Sequence, residues 1–180
     1  MANISPSDES QGTYWCLGDT AGVNLRTADL DDLPGILQIE DDCFGAERFN
    51  ANTVQAFLER EDTIVIVATL DEDVVGAAMC IYSPDVREGR IASIAVLRRL
   101  RGQGIGARLL EECERRFLSE GLERFTLEVE IGNEPAISLY LTRGYEIKGM
   151  IRGYYSGNRD AYHMEKSADQ GKEGIRILPS

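Results

Sequence analysis

The sequence predicts a single mixed α/β domain, a sheet with helices packed on it. Three observations lead there. Runs rich in β-branched and apolar residues at 63–70, 74–82, 90–96 and 125–129 read as strands. Segments with apolar residues at helical spacing lie among them, above all 104–119. The polar turn Asp71-Glu72-Asp73 joins two of the strands as a hairpin, and a glycine-rich turn leads from a third directly into a helix.

Taken in order, residues 23–26 form a short strand. Asp29 then caps a helix whose apolar face is Leu33, Ile36, Leu37 and Ile39. Pro34 falls in its first turn, where a missing N–H costs little. Cys43-Phe44-Gly45 ends it, and Asn50 or Asn52 caps a second helix running through Phe57 and Leu58. The hairpin 63–82 and the strand 90–96 come next. The helix 104–119 carries Ile105, Leu109, Leu110, Cys113 and Phe117 on one face and stops at Gly121. A strand at 125–129, a helix at 135–143 ended by Gly144, and strands at 145–151 and 161–166 around a polar loop complete the order β-α-α-β-β-β-α-β-α-β-β.

Composition narrows the class. The chain has 180 residues, 43% hydrophobic and 28% charged, which suits one soluble globular domain. That domain is expected over 23–167, with a polar extension at 1–22 and a tail at 168–180. No stretch reaches the roughly 18 apolar residues of a membrane span. The N-terminus has neither a basic start nor an apolar stretch, so the expectation is a cytoplasmic protein. The net charge of −12 disfavours nucleic acid and anionic membrane as partners and favours cationic ones. Cys16, Cys43, Cys80 and Cys113 are scattered, with no C-x-x-C pair and no nearby histidine. They read as free thiols, with no metal site expected.

The most informative run is the strand Ile91 to Val96 followed by Leu97-Arg98-Arg99-Leu100-Arg101-Gly102-Gln103-Gly104-Ile105-Gly106-Ala107. The first N–H groups of a helix lack internal partners and stand at the positive end of its dipole, so they can hold a phosphate or pyrophosphate. Glycines admit the ligand to the backbone. Arg98, Arg99, Arg101 and Arg108 concentrate positive charge in an acidic chain, which points to a bound anion. The spacing is neither the dinucleotide G-x-G-x-x-G nor a Walker A loop.

Arg101-x-x-Gly104-x-Gly106 after Ser93-Ile94-Ala95-Val96 resembles the R/Q-x-x-G-x-G/A motif of GNAT acetyltransferases. The resemblance implies the GNAT fold: a mixed, mostly antiparallel twisted sheet with splayed central strands and flanking helices. It implies acetyl-CoA as cosubstrate, with Ile94, Ala95 and Val96 along the pantetheine arm. Arg101, Gly102, Gln103, Gly104, Ile105, Gly106 and Ala107 would stand at the pyrophosphate.

Leu127-Glu128-Val129-Glu130 to Asn133-Glu134-Pro135-Ala136-Ile137-Ser138-Leu139-Tyr140 is similar to the L-E-V-R-x-S-N-x-x-A-I-x-L-Y stretch of protein N-terminal acetyltransferases, particularly the RimI-like ribosomal-protein-alanine group. The likeness continues through Gly144-Tyr145, Arg152-Gly153-Tyr154-Tyr155 and Asp160-Ala161-Tyr162-His163-Met164. By that resemblance Glu128 is the general base and Tyr140 the general acid toward the CoA thiolate. Phe44, Glu130, Tyr154 and Tyr155 would meet the acceptor. The acceptor would be a protein or peptide N-terminus, with ribosomal proteins among the candidates, and the enzyme a monomer or weak homodimer.

The residues themselves leave alternatives open. Glu128 suits a base or a solvent-facing strand position, Tyr140 an acid or a packing ring, and Asn133 a helix cap or a cofactor contact. His163 reads as structural. The chemistry is coherent, because an α-amine with pKa of about 7.7–8.0 needs less help to shed its proton than a lysine near 10.4. Two departures leave the acceptor's sequence open. Glu130 replaces the usual arginine, and Cys43-Phe44-Gly45-Ala46-Glu47-Arg48-Phe49 replaces the family's S-F-x-x-P-W/Y loop. Acetylation of lysine side chains or polyamines, and a non-catalytic CoA-binding domain, are the competing readings.

Overall fold

The computed structural model describes residues 22–171. Its elements are β1 (Asn24–Thr27), α1 (Leu33–Phe44), α2 (Ala51–Glu59), β2 (Thr63–Leu70), β3 (Asp73–Ser83), β4 (Glu88–Val96), α3 (Ile105–Ser119), β5 (Arg124–Glu130), α4 (Glu134–Thr142), β6 (Glu146–Tyr155) and β7 (Arg159–Ser167). The seven strands form one sheet in the order β1-β2-β3-β4-β5-β7-β6. Every neighbouring pair is antiparallel except β4–β5, which is parallel. No helix among the described residues is long and apolar enough to cross a membrane.

The expected order of elements is present, with two corrections and one of two offered caps chosen. Asp29 caps a short 3-10 turn, Leu30–Asp32, and α1 begins behind it at Leu33. Asn50, not Asn52, caps α2 by accepting the Thr53 N–H. The loop expected between the last two strands is a tight turn, because β6 runs on to Tyr155 and β7 starts at Arg159. A register shift between Ile151 and Tyr155 absorbs the mismatch, with Gly153 at φ 60° and its N–H on Asp160. Tyr154 and Tyr155 therefore stand on a strand. The expected extension, with Trp15 and Cys16, lies outside the described residues, as does the tail beyond Gly171. Within the tail Ala168 still donates its N–H to the Glu123 carbonyl.

Helices cover both faces of the sheet. On β3, Gly35 of α1 lies against Val74, whereas Leu109 of α3 lies against Gly76. Val74 and Gly76 pair with the consecutive residues Thr69 and Ala68 of β2, so they point to opposite faces. On the α3 side Ile105, Leu109, Leu110, Cys113 and Phe117 are all buried, each worth about 1.5–3 kcal/mol relative to exposure for the large apolar ones. On the other side Ile36, Ile39 and Val54 are buried as well. Cys43, Cys80 and Cys113 are free thiols.

Two details of the packing position the functional groups. Gly89 of β4 pairs with Phe125 of β5, and an added Cβ there would lie 2.6 Å from the Phe117 ring. The missing side chain is the hole into which Phe117 seats, 5.3 Å from the Phe125 ring centre. The second detail is Glu40, buried on α1 in line with the apolar stripe. One of its oxygens accepts the Phe49 N–H at 2.8 Å and the other the Ser93 hydroxyl at 3.1 Å. It ties the α1–α2 connection to β4. Burial pushes its carboxyl above the usual range, against those two hydrogen bonds.

Gly89→Ala will destabilise the fold by about 1–3 kcal/mol through overpacking against Phe117, read as a lowered Tm. Glu40 has a raised folded-state pKa, so the stability it contributes is present in acid and lost as pH rises through that value. Glu40→Gln keeps an acceptor for Phe49 and a donor for Ser93. It will match or exceed the parent in stability at pH 7, the difference closing in acid. Glu40→Ala leaves the Phe49 N–H unpaired and will cost about 1–3 kcal/mol in denaturant unfolding.

Candidate active site

The site is built where β4 and β5 part. They pair only from Glu88↔Arg124 to Ile91↔Leu127. Beyond that, β5 continues with β7 alone, Glu128 opposite His163 and Glu130 opposite Ala161. β4 continues with β3 alone, Ser93 to Val96 opposite Met79 to Gly76. Ala92 is the extra residue of a bulge between the Met79↔Ser93 and Cys80↔Ile91 pairs. The fork leaves the Ile94, Ala95 and Val96 backbone with no strand on the β5 side.

At the end of β4 the chain turns into α3. Gly102 and Gly104 take φ 78° and 83°, and a Cβ added at either would meet nothing within 4 Å. Gly104 is the N-cap residue and no side chain caps the helix, so the N–H groups of Ile105, Gly106 and Ala107 remain for a ligand. Gly106 sits between Val96 and Leu139, 3.9 and 4.0 Å from its Cβ position, which brings α4 to the cradle. The arginines divide their work differently from expectation. Arg101 donates Nε–H to the Val96 carbonyl at 3.1 Å, bracing the turn. Arg98 is turned onto α1, its N–H and side chain bonding Asp42 at 2.8 and 2.7 Å, so its charge is directed away from the cradle.

On the β5 side Glu128 is only 10% exposed and its carboxylate is held at both oxygens. Arg90 donates to Oε2 from Nε and Nη2 at 2.9 and 2.7 Å, and also to the Tyr154 hydroxyl at 2.8 Å. His163 Nδ1 is 3.0 Å from Oε1. Burial would lower the Arg90 guanidinium, but the Glu128 hydrogen bonds and charge, helped by Tyr154, hold it above its ordinary value. Tyr155 packs edge-on to Tyr154, with ring centres 4.9 Å apart. Burial first, then Tyr154 and the carboxylates Glu128, Glu130 and Glu47, push Tyr155 up to about 12. Tyr140 on α4 is buried, edge-on to Tyr145 at 5.8 Å, and burial and the nearby Tyr155 push its phenol well up.

A rim closes one side. Glu47, in the α1–α2 connection, accepts the Ser156 N–H at 2.7 Å and the Ser156 hydroxyl, and pairs with Arg159 at 3.0 Å. Arg159 also pairs with Glu130 at 2.5 Å and lies over the Tyr155 ring. The β6–β7 turn is thereby fastened to the segment that comes after Phe44.

Of the residues expected from sequence, Glu128, Tyr154 and Tyr155 are in contact beside the fork, and Glu130 joins them through Arg159. Asn133 caps α4 through the Ala136 N–H at 3.4 Å, while Glu130 is committed to Arg159. Phe44 is the half-buried last residue of α1. Glu40, Ser93 and Arg90 were not anticipated, nor was the rim of Glu47, Ser156 and Arg159. Glu40 is signalled by its place four residues after Ile36, a carboxylate on an apolar helical stripe. Arg90 has no local signal, since its bond to Glu128 depends on how β4 and β5 are aligned. The pocket lined by Asn50, Thr53, Phe57, Arg60 and Thr63 includes no residue of the fork.

The comparisons agree with this geometry. Residues 33–145 match the acetyltransferase (GNAT) family. The chain is 31% identical over 153 residues to an N-alpha-acetyltransferase of Saccharolobus solfataricus, covering 79% of this chain and 91% of that one. In fold it is similar to the ribosomal-protein-S18-alanine N-acetyltransferase from Escherichia coli, with TM-score 0.75, 23% identity and coverage of 86% and 99%. It also matches a chain in the NatC complex bound to Gag peptide and CoA, with TM-score 0.71, 23% identity and coverage of 81% and 98%. The parted strands, the open helix N-terminus and the family match have one reading: the chain belongs to the GNAT acetyltransferases, enzymes that use acetyl-CoA.

Proposed function

We propose that this acetyltransferase modifies the α-amino group at the N-terminus of proteins by direct transfer in a ternary complex. The observation that carries the reading is Glu128, a nearly buried carboxylate standing where β4 and β5 part, with Tyr154 and Tyr155 around it. The relatives named N-alpha-acetyltransferases support it.

The described residues fit acetyl-CoA. The uncapped first turn of α3 and the open space at Gly102 and Gly104 suit the pyrophosphate, with Gln103 in the same turn. The unpaired side of Ile94, Ala95 and Val96 suits the amide-bearing pantetheine arm. When bound, the cosubstrate supplies an activated acetyl thioester. A backbone N–H on this free side of β4 would polarise its carbonyl. Glu128 takes the proton from the acceptor ammonium, directly or through a water. Its Oε2 is held by two Arg90 N–H groups, which suits an α-amine that gives up its proton readily better than a lysine. Tyr140 would stand toward the leaving sulfur. Burial keeps its proton in place, so it acts as a hydrogen-bond donor to the developing thiolate. Phe44, Glu130, Tyr154 and Tyr155 shape the acceptor's path.

Acetyl-CoA offered with short peptides bearing free or blocked N-termini, with and without lysine, and with spermidine tests the acceptor class. Product mass spectrometry will place acetyl groups on free α-amines. Acetylation of blocked lysine peptides or spermidine instead would move the enzyme to side-chain or small amines. Glu128→Gln will lower kcat by about 10²-fold or more, and Tyr140→Phe by a smaller factor, with CoA affinity unchanged in both. Unchanged turnover in Glu128→Gln would remove it from the mechanism.

A further inference from the structure

His163 is the single histidine of the chain, and both of its ring nitrogens face carboxylates. Nδ1 is 3.0 Å from Glu128 Oε1, and Nε2 is 3.0 Å from Glu165 Oε1. A neutral imidazole carries one N–H and can satisfy only one of these contacts. Both are hydrogen bonds only when the group of three holds a second proton, on the ring or on a carboxyl. Glu128, His163 and Glu165 are therefore a chain with a place to store a proton. It also has a direction: Glu128 is 10% exposed, His163 29% and Glu165 28%. The inner end lies at the fork and the outer end reaches solvent.

We infer that His163 and Glu165 carry to solvent the proton that Glu128 removes from the acceptor ammonium. The inference rests on Glu128 being the base. Acetylation of an ammonium by a thioester forms one C–N bond, breaks one C–S bond, and removes two protons from nitrogen. One ends on the departing sulfur and the other must leave the site. Glu128 takes that second proton while His163 is neutral with its Nδ1 lone pair toward Oε1. Nδ1 then receives it, and the imidazolium stands between two carboxylates. Nε2 releases its proton to Glu165 and on to water, and the ring returns to neutrality. Other charged groups frame this path without interrupting it. Arg90 of β4 holds the opposite oxygen of Glu128, with Tyr154 of β6 beside it. Lys148 of β6, paired with Glu146, stands near Glu165. His163 acts through Glu128 and is a positioning residue.

The test is the pH dependence of kcat for the parent, His163→Gln and Glu165→Gln with a free-N-terminus peptide, together with imidazole rescue of His163→Ala. His163→Gln will lower kcat roughly tenfold at neutral pH, part of the 10²–10⁴-fold expected for general base catalysis as a whole. Its acid limb will move to lower pH, because the imidazole is no longer one of the groups that must shed a proton before each turnover. Glu165→Gln will give a smaller loss in the same direction. Added imidazole will restore turnover to His163→Ala, which a merely structural histidine does not predict. Thermal melts and CoA affinity identify a folding defect, in which case Glu165→Gln, at the outer end, decides. Parent-like pH profiles in the glutamine variants, or no rescue, would overturn the relay. If Glu128→Gln is meanwhile impaired, the base survives and only the relay falls. If Glu128→Gln turns over normally, the base falls and the relay with it.

Discussion

The structure depends on two parallel strands that stay paired for four residues and then separate. Unpaired strand edges inside a sheet are costly, because each N–H and C=O needs a partner. Here the open edge survives because each strand keeps its other neighbour, β3 for β4 and β7 for β5. The bulge at Ala92 turns β4 off the common course. The proposed chemistry hangs on that gap: the backbone of Ile94 to Val96 on one side, Glu128 on the other, and the first turn of α3 at its end. A parallel pair is needed, since a hairpin would join the two strands by a short turn. The crossover that makes them parallel is α3 itself, so one connection provides both the topology and the uncapped helix N-terminus.

Much of this was legible in the residues. Local patterns are strong where a segment buries one face, as in α3, whose five core positions are set by their spacing alone. The cradle was legible too, because glycines with positive φ and a run without a capping side chain are properties of the chain over a few residues. The extent of β6 and β7 was not. Residues 146–155 are exposed almost throughout, so hydrophobic alternation there is faint, and pairing with β7 decides the strand. The network around Glu128 was likewise out of reach. Arg90, Glu128, Tyr154 and His163 come from four strands, and only the register of three strand pairs makes them neighbours.

Charge is arranged by local contrast. The chain carries a net charge of −12, yet the buried carboxylates at the site are individually compensated. Glu128 has Arg90 and His163, while Glu40 has a backbone N–H and a hydroxyl. The distinction matters because a neighbouring cation favours the charged form of a carboxylate, whereas burial disfavours it. Glu40 is thus a structural tie between α1 and β4, and Glu128 stands beside the fork with a guanidinium on one oxygen. The ties at the rim differ in kind. Glu47, Ser156 and Arg159 join segments more than a hundred residues apart through exposed groups, and such contacts are weak and sensitive to salt.

The seat of Phe117 in the hole at Gly89 bears on the far end of the same helix. Phe117 lies twelve residues beyond Ile105, roughly 18 Å along the axis at 1.5 Å per residue. A helix pinned there cannot slide or rotate about its axis without driving an aromatic ring into backbone. The first turn of α3, proposed to meet the pyrophosphate, is therefore held in place by packing at the opposite end of the helix, against the sheet's parallel pair. Its N–H groups are aimed before any ligand arrives, so the entropy of ordering them falls on folding instead of on binding.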